Sequence, residues 1–234
     1  MHHGIIAATS DAAGLIDAID ALQPRLIPGD SRGSLADLDL KESDAGWQLA
    51  YGELGDRAYV LDTSFLLSAQ ADTIVSVSGG LTSTVVGCGA ETTSGTYWFT
   101  AAENGRLIRA YWNSYSVMWE PWSKGPALPS EEAHPFEQLD GDGLTAGLSA
   151  LGFDYTAWAA LPNLRILSFD LSDPPTGPMI EGPLARELRE FTMSVAIPEG
   201  KAPKPTAIRR DGGWDLATKP PVKRGGAFGF LRRG

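Results

Sequence analysis

Residues Gly95–Tyr115 read GTYWFTAAENGRLIRAYWNSY. Two runs rich in aromatic and apolar residues flank Glu103-Asn104-Gly105. Asn-Gly readily takes the positive φ angles of a tight hairpin turn. The stretch therefore predicts two antiparallel strands, at 95–104 and 106–115. The segment before it, TSTVVGCGAET at 82–92, reads as a third strand.

Working back from there, a strand over 4–10 (GIIAATS) leads into a helix that starts at Ser10 or Asp11. Leu15, Ile16, Ile19 and Leu22 recur at helical spacing, and Pro24 ends the run. Residues 25–46 form a connection with no regular period. GWQLAYG (46–52) and RAYVLDT (57–63) are two strands, joined by a turn at Glu53–Asp56 that contains Gly55. A second helix is expected over 64–78, stopped by Gly79-Gly80. The order strand, helix, strand, strand, helix, strand is that of an α+β, ferredoxin-like split β-α-β sandwich. The Asn104-Gly105 hairpin is then an added antiparallel extension of its sheet.

Downstream lies an aromatic loop, NSYSVMWEPWSKGPALPSEEAHPF (113–136). A helix over 143–151, a further short helix at YTAWAAL (155–161) and a strand over 164–171 follow. Pro183 suits the first position of a helix over 183–191. TMSVAIP (192–198) reads as a last strand.

The composition is that of an ordinary globular protein. The apolar fraction is 43% and the charged fraction 21% in 234 residues, enough for a core without staples. Cys88 is the one cysteine, so no internal disulfide can form. The first residues lack the basic and apolar regions of a signal peptide. No apolar run approaches the roughly 20 residues that span a bilayer. A cytoplasmic, bacterial-type protein is the expectation.

The net charge of −10 conceals an asymmetry. From Glu199 onward there are nine basic residues against three acidic, a formal +6. Residues 1–198 hold the other ten basic and 26 acidic residues, a formal −16. Four Pro and seven Gly fall in the last 36 residues, near the level at which segments stop building packed cores. The expected organisation is an acidic α+β body, 1–198, and a basic, Pro/Gly-rich C-terminal tail, 199–234. An acidic body repels phosphate, which argues against nucleic acid as a partner. Three large apolar side chains in the tail give little membrane insertion, which argues against a lipid surface.

No catalytic or metal-binding set emerges. DGDGL (Asp140–Leu144) begins like a calcium loop, but Leu144 and Leu151 stand where ligands five and twelve are needed. Asp142 reads instead as the cap of the helix that begins at Gly143. Cys88 sits between two glycines with no histidine context that would make it a nucleophile. It is expected to be a small buried side chain where a strand packs closely. Adjacent His2 and His3 alternate faces in a strand and lack two further ligands for zinc. No phosphate-binding glycine loop and no G-x-S-x-G elbow is present. Neither a cofactor nor a metal is expected.

The aromatic content is the feature most suggestive of function. Tyr97, Trp98, Phe99, Tyr111, Trp112, Tyr115, Trp119 and Trp122 lie within 26 residues and include four of the seven tryptophans. Alternation puts one set in the core and turns the other outward. Trp119 and Trp122 flank Glu120-Pro121 with no period of their own. They either fold back over the sheet or anchor a partner. The tail adds Phe228, Phe230 and Leu231 as apolar anchors and Arg232 and Arg233 as a charged rim. Together with Trp112, Trp119 and Trp122 these are the expected partner-binding residues. The tail docks either on its own body or on another chain.

The function these features suggest is non-catalytic protein–protein interaction. Toxin-neutralising immunity proteins and accessory subunits of bacterial assemblies share this general profile. The alternative is an enzyme or small-ligand site beside the aromatic hairpin, drawing on Glu91, Cys88, Arg109 and Trp112.

Overall fold

The computed structural model describes residues 3–22, 26–35, 48–63, 65, 67–91, 94–118, 120–136, 141–169 and 182–196. Among them the chain is mixed α+β. In sequence order the elements are β1 (His3–Ala8), α1 (Ala12–Asp20), β2 (Leu26–Gly33), β3 (Gln48–Leu54), β4 (Arg57–Asp62), α2 (Ala71–Leu81), β5 (Thr84–Glu91), β6 (Thr96–Glu103), β7 (Arg106–Ser114), β8 (Trp122–Lys124), a 3-10 turn (Pro129–Glu132), α3 (Gly141–Ala150), α4 (Tyr155–Ala159), β9 (Leu164–Phe169) and α5 (Pro183–Ser194). All nine strands join one antiparallel sheet, in the order β2-β9-β3-β4-β1-β5-β6-β7-β8.

The central strands are buried on both faces. Period-two alternation sends Ile6, Ala8, Ala58, Val60 and Val85 to a first face and Ile5, Ala7, Tyr59, Leu61, Val86, Cys88 and Phe99 to a second. The first face is covered by α1 and α2 through Leu15, Ile19, Ile74 and Val77. The second is covered by the 3-10 turn, α3 and α4, with Phe136, Leu144, Leu148, Phe153 and Trp158. A helical layer therefore lies on each side of the sheet. The apolar content of 141–161 supplies that second layer.

Several boundaries differ from expectation for identifiable reasons. The second helix begins at Ala71, not Ser64. Phe65 takes a positive φ of 61°, which interrupts a helix. The buried Asp62 carboxylate accepts from Leu67 N at 3.0 Å and from Ser68 N and Oγ at 2.8 and 2.9 Å, fixing a turn instead. Gly79 and Gly80 do not stop this helix. It runs to Leu81 and ends at Thr82, which has left-handed φ and ψ of 52° and 45°. A Cβ on Gly79 would lie 3.3 Å from Cα of Gly105, so the glycine brings α2 close against the β6–β7 turn. Gly105 N donates to Ser78 Oγ across the same contact at 3.0 Å.

Two strands arise where none was expected. β2 lies within the 25–46 connection and pairs with β9 at the sheet edge, and β8 lies within the aromatic loop. Thr192–Ser194 continue α5 instead of forming a strand, leaving only an isolated bridge between Ala196 and Met118. Helix α3 starts at Gly141, so Asp142 lies inside its first turn and not at its cap. There a carboxylate favours the positive end of the helix dipole.

Candidate interaction groove

The hairpin at Asn104-Gly105 forms as its sequence predicts, with φ of 50° and 75° at the two residues. Its register carries a one-residue bulge. Ala102 pairs with Leu107 and Ala101 with Arg109, which leaves Ile108 as the extra residue. Beyond the bulge Trp98 stands opposite Trp112, and Trp112 in turn opposite Trp122 on β8. Without it Trp98 would have faced Tyr111. Three tryptophans thus form one row across β6, β7 and β8 on the first face of the sheet. Trp98 and Trp112 are stacked, with ring centroids 5.8 Å apart and planes at 26°. Phe65 meets Trp98 edge-on at 5.2 Å.

Helix α5 lies over the outer part of this row. Ala110, Met118, Trp122 and Leu184 form a third small core, with Trp112, Leu188, Phe191 and Val195 packed on it. Three contacts seat the helix. The Asp72 carboxylate accepts from the backbone N–H of Leu184 at 3.2 Å and of Ala185 at 2.7 Å. Those donors have no partner within their own helix. A Cβ on Gly182 would fall 2.3 Å from Asp72 Cγ, so glycine is required for the approach. Lys124 pairs with Glu187, and the Met118–Ala196 bridge holds the far end.

Between α5, the start of α2 and the tryptophan row lies a groove of about 560 Å³. Phe65, Ala71, Trp112, Trp122, Leu188 and Met193 provide most of its apolar lining. Gln70, Arg189 and Thr192 supply polar atoms. Trp122 is only 4% exposed, whereas Met193 is 68% exposed. Val117, 44% exposed, lies next to Met118 of the same small core. Met193 and Val117 are the exposed large hydrophobic residues among the described part of the chain.

Of the expected partner-binding residues, the structure brings Trp112 and Trp122 into this groove. Trp119, Phe228, Phe230, Leu231, Arg232 and Arg233 lie outside the described residues. Leu184, Leu188 and Met193, which also line it, were not anticipated. The bulge that aligns Trp98 has no sequence signature, and 192–194 read as a strand.

The alternative set of Glu91, Cys88, Arg109 and Trp112 does not converge. Cys88 belongs to the second-face core, where burial pushes its thiol up to about 12. A Cβ on neighbouring Gly87 would lie 2.5 Å from Ile74 Cδ1 and 2.7 Å from Ser68 O, the close packing that the Gly-Cys-Gly run implies. Arg109 makes a bidentate pair with Glu131, Nε–Oε1 and Nη2–Oε2 both at 2.8 Å, and donates to Gly125 O at 3.1 Å. Its guanidinium also sits 5.7 Å from the Phe136 ring centre, on the face opposite Trp112. Glu91 accepts from Ser94 N at 2.8 Å and from Ser94 Oγ. These groups are occupied in building the fold.

Among the described residues no group of three or more His, Cys, Asp or Glu is placed to hold a metal ion, and no helix is long and apolar enough to cross a membrane. No protein-family model, no curated protein and no solved structure matches this chain.

Proposed function

We propose that this is a non-catalytic protein–protein interaction protein, of the immunity or accessory-subunit type, acting in the bacterial cytoplasm. Its body, 1–198, is built on a ferredoxin-like split β-α-β unit. The order β3-β4-β1-β5 at the centre of the sheet, with α1 and α2 on one face, supports that reading. The remaining strands extend the unit on both sides.

The observation that carries the functional reading is the groove itself. Trp112 and Trp122 line one apolar depression with α5, and Met193 stands exposed beside them. A contiguous apolar surface with aromatic anchors and a polar margin is the ordinary anatomy of an interface core. The formal −16 of residues 1–198 favours a basic partner and speeds encounter with it.

A photo-crosslinking residue at Met193 tests this in extracts of the producing cells. The reading expects one dominant protein adduct that disappears in the Trp112→Ala variant. Adducts that are unselective, or indifferent to Trp112, overturn it.

The groove's volume also falls in the range of small-ligand sites, roughly 300–1,000 Å³. This supports a second reading, binding of an apolar small molecule. A small-molecule mass released from the natively purified protein on denaturation, with no protein adduct at Met193, would favour it.

A further inference from the structure

We propose that the groove between α5 and the tryptophan row takes a small aromatic carboxylate, with Arg189 holding the carboxylate and Phe65 and Trp112 contacting the ring. This names a ligand class for the second reading above, binding of a small molecule, and rests on it.

The charge that selects the ligand is local. At 3.6 residues per turn, Leu184, Ala185, Leu188, Arg189, Thr192 and Met193 occupy one half of α5, and all six line the groove. Arg186, Glu187 and Glu190 fall on the other half of the helix. Among the described residues, Arg189 is therefore the one charged side chain in the lining. Two carboxylates stand close to this wall, and both are committed elsewhere. Asp72 accepts the N–H groups that start α5, and Glu187 pairs with Lys124. An ammonium ligand would meet Arg189 with no acid in the lining, whereas a carboxylate meets its complement. A guanidinium carries five donors in a planar fork, so it can clasp a carboxylate through two of them alongside other contacts.

The walls set the rest of the molecule. Phe65 and Trp112 are half-buried, and both pack on the buried ring of Trp98, edge-on at 5.2 Å and stacked at 5.8 Å. Rings backed in this way give an aromatic ligand its contact area with little left to order on binding. The α5 wall runs nine residues from Leu184 to Met193, about 13–14 Å, with Arg189 near its middle. A head group at Arg189 leaves about 6–8 Å of groove to either side. That length suits one or two fused rings and is too short for a long acyl chain.

The test titrates the full chain with three probes of one shape: 2-naphthoate, neutral 2-naphthamide and cationic 2-naphthylmethylammonium. Binding is followed by the indole N–H signals of Trp112 and Trp122. Naphthoate should bind at least about tenfold tighter than naphthamide, and the ammonium weakest. Arg189→Gln should bring naphthoate down to the affinity of naphthamide and leave naphthamide unchanged. Arg189 is exposed, so this variant should keep the wild-type melting temperature. Ammonium binding as tight as that of naphthoate overturns the proposal. So does an advantage of naphthoate that survives Arg189→Gln, or an equal loss of both ligands in that variant. If naphthoate and naphthamide bind alike and Trp112→Ala abolishes both, the carboxylate assignment fails and the small-molecule reading stands. If no probe binds, both fail.

Discussion

The carboxylate of Asp72, on α2, accepts a 2.7 Å hydrogen bond from the backbone N–H of Ala185, 113 residues further along the chain. It accepts a second from Leu184 at 3.2 Å. A charged acceptor on the free donors of a helix start is among the stronger polar contacts. This one fixes where α5 lies, and therefore where one wall of the groove stands. Asp72→Ala leaves both donors without the carboxylate and should cost about 1–2 kcal/mol by analogy with loss of a helix cap. Amide hydrogen exchange should show α5 losing protection while β1, β4 and β5 keep theirs. Uniform loss across the sheet would mean that Asp72 supports the whole fold and not this helix.

The Arg109–Glu131 pair is buried, with side-chain exposures of 9% and 8%. Removing one partner strands the other charge. Glu131→Leu should destabilise by about 3–5 kcal/mol in denaturant titration, and the double replacement Arg109→Met with Glu131→Leu should cost much less. Equal losses in the single and double variants would show that packing, not pairing, dominates at this site.

Burial pushes Cys88 up to about 12, and burial, with a smaller contribution from Cys88, pushes Tyr155 up to about 12. Both groups ionise more readily in the unfolded chain, at about 8.5 for the thiol and about 10 for the phenol. Their neutral forms favour the folded state fully below those values. Stability should therefore be lost as pH rises from about 9 towards 12. Cys88→Ala should flatten the first part of that decline. At pH 8 the native thiol should resist a disulfide reagent that reacts with it once the chain is unfolded.

Gly87 admits no side chain, because an added Cβ meets both Ile74 Cδ1 and the Ser68 carbonyl. Gly87→Ala should cost about 1–3 kcal/mol through overpacking. Ile74→Val should recover only part of the loss, since the backbone carbonyl cannot retreat. Thermal melts of the single and double variants measure this directly.

Much of the central sheet was legible in the sequence because its signals are local. Asn104-Gly105 dictates its turn, Gly55 with its φ of 64° dictates another, and alternation sorts Ile5 from Ile6 and Tyr59 from Val60. What escaped depends on contacts between distant segments. The 26–33 strand exists through pairing with β9, and α2 starts late because Asp62 binds the turn before it. The groove was half legible. Trp112 and Trp122 stood out by composition, but their alignment needs the Ile108 bulge, and Met193 was hidden in a stretch that reads as strand.

The groove and the core respond differently to loss of a tryptophan. Trp122 is buried and Trp112 only half so. Trp122→Ala should cost about 3–5 kcal/mol of stability. Trp112→Ala should cost less and act chiefly on binding.

The measurement closest to the central claim is calorimetric titration of the protein crosslinked through Met193 against wild-type chain and the Met193→Glu variant. Met193 is 68% exposed, so the change should leave the melting temperature nearly unaltered. The account predicts a loss of at least about tenfold in affinity, the effect of roughly 1.4 kcal/mol in an interface core. Unaltered affinity with intact folding would contradict it, because the partner would then bind somewhere other than the groove between α5 and the tryptophan row.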